Sequence, residues 1–208
     1  MTLRSNRNLL SVFNLALAIL LLSASAHAGL ATEQIKATVD KALVVLRDPK
    51  LKPAAKLKDR REQLKQILFA RFDFTEMAKR SLGAAWRRRT PQEQEEFVRL
   101  FTDVLERAYA DIIESYSDEK IVYLNERLDA EYADVNSKIF TDKGQEYTIN
   151  YKARLVGSEW KVYDVVAENI SLVNNYRSQF TRVISKDSYE ELVRRLKDRS
   201  DFNGARQK

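Results

Sequence analysis

The apolar residues of this chain change period twice, and that change bounds the fold more tightly than any other feature. From Ala31 to about residue 116 they recur at helical spacing; from Lys120 to Val166 they alternate; from Val173 helical spacing returns. Ile35, Val39, Ala42, Leu43 and Leu46 predict a first helix, and Leu57, Leu64, Ile67 and Leu68 a second beyond the break at Asp48-Pro49 and Pro53. Asp73…Glu76 has capping-box spacing and opens a short helix that ends near Gly83. Thr90 as N-cap, Pro91 at N1 and Glu93 at N3 open a long one with Phe97, Leu100, Phe101, Val104 and Leu105 on its apolar face.

Four strands follow, at Ile121–Leu124, Tyr132–Phe140, Gln145–Val156 and Glu159–Val166. Asp142-Lys143-Gly144 and Gly157-Ser158 turn the last three into hairpins. Tyr147, Ile149, Tyr151, Ala153 and Leu155 alternate with Thr148, Asn150, Lys152 and Arg154, so one face of the sheet is buried and the other wet. Val173, Tyr176, Phe180 and Val183 then mark a helix, and Ser188…Glu191 caps a last one. The expectation is a single α+β domain, its helices packed on the concave face of a highly curved, mainly four-stranded antiparallel sheet.

The first 28 residues stand apart. Arg4 and Arg7, the apolar run Leu9–Leu22 and the small residues of Ala24-Ser25-Ala26-His27-Ala28 form the three regions of a secretory signal peptide. The run is shorter than the roughly 20 apolar residues that span a bilayer. We expect cleavage near Ala28, leaving residues 29–208 as one domain with its last few residues disordered.

Export and composition together exclude much chemistry. The only histidine is His27, and there is no cysteine. A cleaved chain could run neither histidine-based nor thiolate catalysis, and could build no histidine or cysteine zinc site. A cysteine-free exported domain rests on its core alone and fits a bacterial periplasm. Without Arg4 and Arg7, 34 basic residues face 30 acidic ones, a mild excess that suits anionic lipid surfaces or acidic protein patches better than nucleic acid.

The functional candidates are apolar. Large aromatic residues such as Phe74, Phe97, Phe101, Tyr147, Tyr151, Tyr176 and Phe180 either fill an ordinary core or wall a cavity. Arg87-Arg88-Arg89 is either a docking site for an anion or a solvated loop. Arg177, read on the apolar side of its helix, either holds an anionic group or pairs with a carboxylate such as Asp164. Asp164 with a tyrosine is the one acid–base arrangement the chain offers an enzyme.

The chain resembles the periplasmic phospholipid-binding family of the bacterial Mla lipid-asymmetry, or toluene-tolerance, transport system. Phe72-Asp73-Phe74…Met77-Ala78, Leu82-Gly83…Trp86, Thr90-Pro91…Gln94…Phe97…Phe101 and Trp160-Lys161-Val162-Tyr163-Asp164-Val165 carry the resemblance. Its most specific part is Ile170-Ser171-Leu172-Val173…Asn175-Tyr176-Arg177-Ser178-Gln179-Phe180. The resemblance implies a monomeric, non-enzymatic carrier with no cofactor, whose cargo is a phospholipid with its acyl chains in an apolar pocket. It also implies two partners: an inner-membrane ABC transporter complex with its periplasmic lipid-binding subunit, and an outer-membrane lipoprotein–porin complex. The expected pocket residues are Phe74, Met77, Phe97, Phe101, Tyr147, Ile149, Tyr151, Val162, Leu172, Tyr176 and Phe180. Arg87, Arg88, Arg89 and Arg177 are candidates for its mouth or docking surface. The competing readings are a small periplasmic enzyme using Asp164 and a tyrosine, and a periplasmic chaperone.

Overall fold

Strands β1 (Lys120–Asp129), β2 (Tyr132–Phe140), β3 (Glu146–Val156), β4 (Glu159–Ala167) and the two-residue β5 (Ile170–Ser171) pair antiparallel in chain order. The computed structural model describes residues 29–115 and 119–198. The signal-peptide reading and the last ten residues therefore lie outside the described residues. Each strand meets its sequence neighbour, so every connection in the sheet is a hairpin. Register shifts between Tyr123 and Asn125 in β1, and between Lys152 and Ala153 of β3 as it meets β4, bend the strands. These irregularities curve the sheet.

Two of the turns lie where the sequence predicts them, around Gly144 and Gly157, both at positive φ. The other two carry no glycine. Ala130 takes φ 50° between β1 and β2, and Glu168 and Asn169 take 47° and 65° between β4 and β5. The sheet accordingly has a fifth strand, and β1 runs five residues beyond the predicted Leu124.

Six α-helices surround the sheet among the described residues: α1 (Leu30–Arg47), α2 (Leu57–Phe69), α3 (Phe74–Leu82), α4 (Pro91–Glu114), α5 (Leu172–Lys186) and α6 (Tyr189–Asp198). Pro49 opens one short 3₁₀ turn between α1 and α2, and Pro53 immediately precedes a second. The α4 capping box forms as the sequence predicts: the Thr90 side chain accepts from the Glu93 N–H, and the Glu93 carboxylate from the Thr90 N–H. Asp73 likewise accepts from the Glu76 N–H at the start of α3, and a salt bridge to Arg154 holds its other oxygen. The α1 start is different. No local side chain caps it; Glu126 of β1 accepts from the N–H groups of Gly29 and Thr32 and from the Thr32 hydroxyl. No helix among the described residues is long and apolar enough to cross a membrane.

The buried side chains form three separate clusters. The largest unites α3, α4, α5 and α6 around Phe97, Phe101, Tyr176 and Phe180. A second packs Ala31 and Ile35 of α1 against Ala133, Val135, Ala153, Trp160 and Val162 of the sheet. The third joins Ala42, Val45 and Leu46 of α1 to Leu64 of α2.

Candidate functional site

Paired residues of neighbouring strands share a face, so the register traces one apolar surface. Ala133 lies opposite Ala153, and Ala153 opposite Val162; these are buried beneath α1. The same surface continues along the strands. Val135 lies opposite Tyr151 and Tyr151 opposite Val165; Ser137 lies opposite both Tyr123 and Ile149; Ile139 lies opposite Tyr147. Along this stretch the cover thins. Tyr123, Ile139, Ile149, Tyr151 and Val165 are only half-buried, and Tyr147 is 40% exposed.

The helices have half-buried apolar residues of the same kind at the margins of the three clusters. They include Val39 and Leu43 of α1, Ile67 and Leu68 of α2, and Tyr109 and Ile113 of α4. Tyr109 packs on the largest cluster, while Ile113, one turn on, packs on the α1–α2 cluster. The long helix therefore passes from one core to another at that point. Tyr151 describes the region best: burial pushes its phenol up to about 12, while the residue as a whole is only half-buried.

The eleven expected pocket residues divide between this open region and closed cores. Met77, Phe97, Phe101, Tyr176 and Phe180 pack in the helical core, each at most 1% exposed. Their rings close on one another: Phe101 meets Tyr176 at 5.1 Å and Phe180 at 5.5 Å, edge to face, and Phe97 meets Phe180 at 5.6 Å. Val162 is equally buried beneath α1. Tyr147, Ile149 and Tyr151 lie on the half-open sheet face, and Leu172 is a half-buried residue at the start of α5. Phe74 is half-buried too, its ring 4.5 Å from Phe69 and 5.9 Å from Phe72. Tyr123, Ile139 and Val165 complete the half-open sheet face without having been singled out from the sequence. Val165 and Ile139 were legible in the strand alternation; the half-exposure that distinguishes them was not.

The four arginines do not act together. Arg87 and Arg88 are exposed and unpaired among the described residues. Arg89 lies 4.4 Å over the Tyr189 ring and pairs with Glu93, so it serves packing between α4 and α6. Arg177 is exposed, where the sequence had put it on an apolar helix face, and its Nε donates to the Arg80 carbonyl at the end of α3. It does not pair with Asp164. That carboxylate, 5% exposed, accepts from the Ser171 hydroxyl and the Val173 N–H and thereby caps α5. A recess of about 330 Å³ between α2 and α4 is lined by Leu57 and by the charged residues Lys58, Arg61, Glu62 and Glu106. No cluster of acidic residues among those described could hold a metal ion.

Known proteins share this architecture. The solved structure of a phospholipid-binding protein from Ralstonia solanacearum, in complex with a phospholipid, superposes with a TM-score of 0.73 at 27% identity, covering 81% of this chain and 96% of that one. The intermembrane phospholipid transport system binding protein MlaC of Haemophilus influenzae is 23% identical over 120 residues, 55% of this chain and 56% of that protein. The toluene tolerance protein ttg2D of Pseudomonas putida is 26% identical over 102 residues, 49% of this chain and 47% of that protein. These two alignments thus span about half the length of the relatives they match. The profile of the MlaC protein family matches residues 36–198, from the first turns of α1 to the end of α6. The chain belongs to the MlaC family.

Proposed function

We propose that this protein carries phospholipid across the periplasm, between an outer-membrane lipoprotein–porin complex and an inner-membrane ABC transporter complex, and so maintains the lipid asymmetry of the outer membrane. Its first 28 residues would direct export and be removed. The observation that carries the reading is the half-covered apolar face of the sheet. An apolar surface that the fold leaves partly open, with half-buried Val39 of α1 packed on the same cluster as Tyr123, Tyr151 and Val165, suits a cargo that supplies the missing cover. The phospholipid in the Ralstonia relative supports the same cargo here.

In this reading the acyl chains lie against Ile149, Tyr151, Val165, Leu172 and the facing helix residues, with the headgroup outside. The aromatic core of Phe97, Phe101, Tyr176 and Phe180 stands behind that wall and keeps it rigid. Two acyl chains hold about 30 methylenes, each worth roughly 0.8 kcal/mol on leaving water, so full burial contributes on the order of 20–25 kcal/mol. Release into bulk water is therefore too slow to be useful. Hand-over has to occur against a membrane complex that offers the chains another apolar home. Carriage needs no nucleophile, metal or cofactor, and Asp164, the one acid–base candidate, is already engaged in capping α5.

Lipid extraction and native mass spectrometry of protein purified from a periplasm without detergent test the reading. Phospholipid at a fixed ratio is expected, and the mass increment counts the acyl chains. A ligand-free protein that takes up no phospholipid from vesicles would overturn it. The chaperone reading predicts suppressed aggregation of an unrelated unfolded protein; the carrier predicts none.

A further inference from the structure

The excess positive charge of this protein is confined to one short stretch. Residues 29–208 hold 34 basic and 30 acidic residues, and residues 41–58 alone hold six basic and one acidic. The rest of residues 29–208 therefore has 28 basic against 29 acidic residues and is close to neutral. The stretch runs from the last two turns of α1, through both 3₁₀ turns, to the first residues of α2. α1 and α2 pack on each other through Ala42, Val45, Leu46 and Leu64, so the connector between them is the tip of a helical hairpin.

That tip faces solvent. Lys41, Arg47, Lys50, Lys52, Lys56 and Lys58 are all exposed. Val44, one turn from Lys41 on the outer side of α1, is 70% exposed, more than any other large apolar residue among those described. Few of the charges are neutralised within the protein. Lys56 pairs with Asp59, but Lys41, Lys50, Lys52 and Lys58 form no ion pair among the described residues. The one acidic residue, Asp48, turns its carboxylate onto the Lys50 N–H and caps the first 3₁₀ turn. The next cations along α2 are different: Arg60, Arg61 and Lys65 each meet a carboxylate of α4.

Like charges gathered at a tip repel one another, and an anionic surface relieves that repulsion. The composition says which kind of surface. Contacts between proteins are built on aromatic and arginine anchors and are poor in lysine. This stretch has five lysines, one arginine and no aromatic residue. Long flexible lysines beside a small exposed apolar side chain suit a bilayer, whose anionic headgroups are mobile and admit apolar groups between them.

We propose that the α1–α2 tip binds anionic membrane surfaces, with Lys41, Lys50 and Lys52 over lipid phosphates and Val44 at the headgroup boundary. This contact goes beyond carriage, because it brings the protein to a bilayer whether or not a lipid is loaded.

Co-sedimentation with vesicles of the protein purified from a periplasm tests the proposal. Binding to vesicles of phosphatidylcholine mixed with phosphatidylglycerol is expected at low salt. Little is expected with phosphatidylcholine alone, or at about 1 M salt, where charge is screened within about 3 Å. Each lysine near an anionic surface is worth about fivefold in partitioning, so Lys41→Gln, Lys50→Gln and Lys52→Gln together should weaken binding about a hundredfold. These side chains are exposed, so the melting temperature should stay native. A second triple variant, Lys143→Gln, Arg182→Gln and Lys186→Gln, removes as much charge from exposed positions elsewhere and should bind nearly as the native protein does. Equal losses in the two variants would refer binding to net charge and overturn the assignment to the tip. Native protein that ignores phosphatidylglycerol vesicles would overturn the proposal outright and leave an acidic protein surface as the partner of the tip. Phospholipid content, read by extraction, should stay at the native ratio in every variant, so failure here is distinct from failure of the carrier reading.

Discussion

A carboxylate placed in the half-open wall separates folding from carriage. Ile149 lies on the apolar sheet face, opposite Ser137 on β2 and Ala167 on β4, and is only half-buried. In the lipid-free protein the new carboxylate of Ile149→Glu can therefore reach water, and stability should fall by no more than about 1–2 kcal/mol. Once acyl chains cover the site, that escape closes. The carboxylate must then be buried charged, at several kcal/mol, or take up a proton. With an ordinary pKa of about 4.3, protonation at pH 7.5 costs about 4 kcal/mol, roughly a thousandfold in affinity. The sign follows from linkage: the group's pKa is higher in the loaded state than in the empty one. The penalty is thus full at neutral pH, shrinks tenfold in affinity per pH unit, and vanishes below about pH 4.3. Loading from vesicles, followed at pH 7.5, 6.0 and 5.0 with a folding control at each pH, measures this. Lipid retained at the native ratio at pH 7.5 by a folded Ile149→Glu protein would remove Ile149 from the wall and sink the reasoning.

Other perturbations distinguish closed core from open wall. Phe101→Ala opens a void among rings that touch on every side, and should cost about 3–5 kcal/mol in a urea titration. A loss under 1 kcal/mol would mean that the core is not packed as described. Asp164→Ala leaves the Val173 N–H and the Ser171 hydroxyl without their acceptor, so it should destabilise by about 1–3 kcal/mol while lipid loading of the folded protein persists; abolished loading without destabilisation would return Asp164 to a functional role. Exchanging exposed Arg87 and Arg88 for glutamate should leave melting temperature and lipid content unchanged and slow only the transfer to membrane complexes. Arg61, which meets Asp111 and Glu114 at 2.9 and 2.6 Å, is largely exposed, so Arg61→Gln should change stability by less than about 1 kcal/mol.

Much of this architecture is legible before folding. The caps of α3, α4 and α6, the proline break after α1 and the glycine turns at Gly144 and Gly157 are local chemistry, in which a residue acts on backbone a few positions away. The turns at Ala130 and at Glu168-Asn169 were not legible, because neither has the glycine that ordinarily marks a positive φ. The cap of α1 escaped for a related reason, as did the second, non-local acceptor at the start of α5, where Ser171 itself caps locally by accepting from the Asn174 N–H. Glu126 reaches Thr32 across 94 positions, and Asp164 reaches the start of α5 from a separate strand. Arg177 was misplaced because helical spacing locates a residue on a face, whereas its long side chain turned away to the Arg80 carbonyl.

The sequence by itself determined most of the elements, their order, the α+β class and which side of most elements turns from water, since all of these follow from apolar period and local backbone preference. Only the tertiary structure decided how completely each apolar side is covered. Phe101 and Ile149 look equally apolar in the sequence, yet one is sealed by Tyr176 and Phe180 and the other is left half-open. Periodicity is a property of one segment, while cover depends on the area its neighbours bring. On the sheet of this protein they bring too little, and the uncovered remainder is where we propose that the lipid fits.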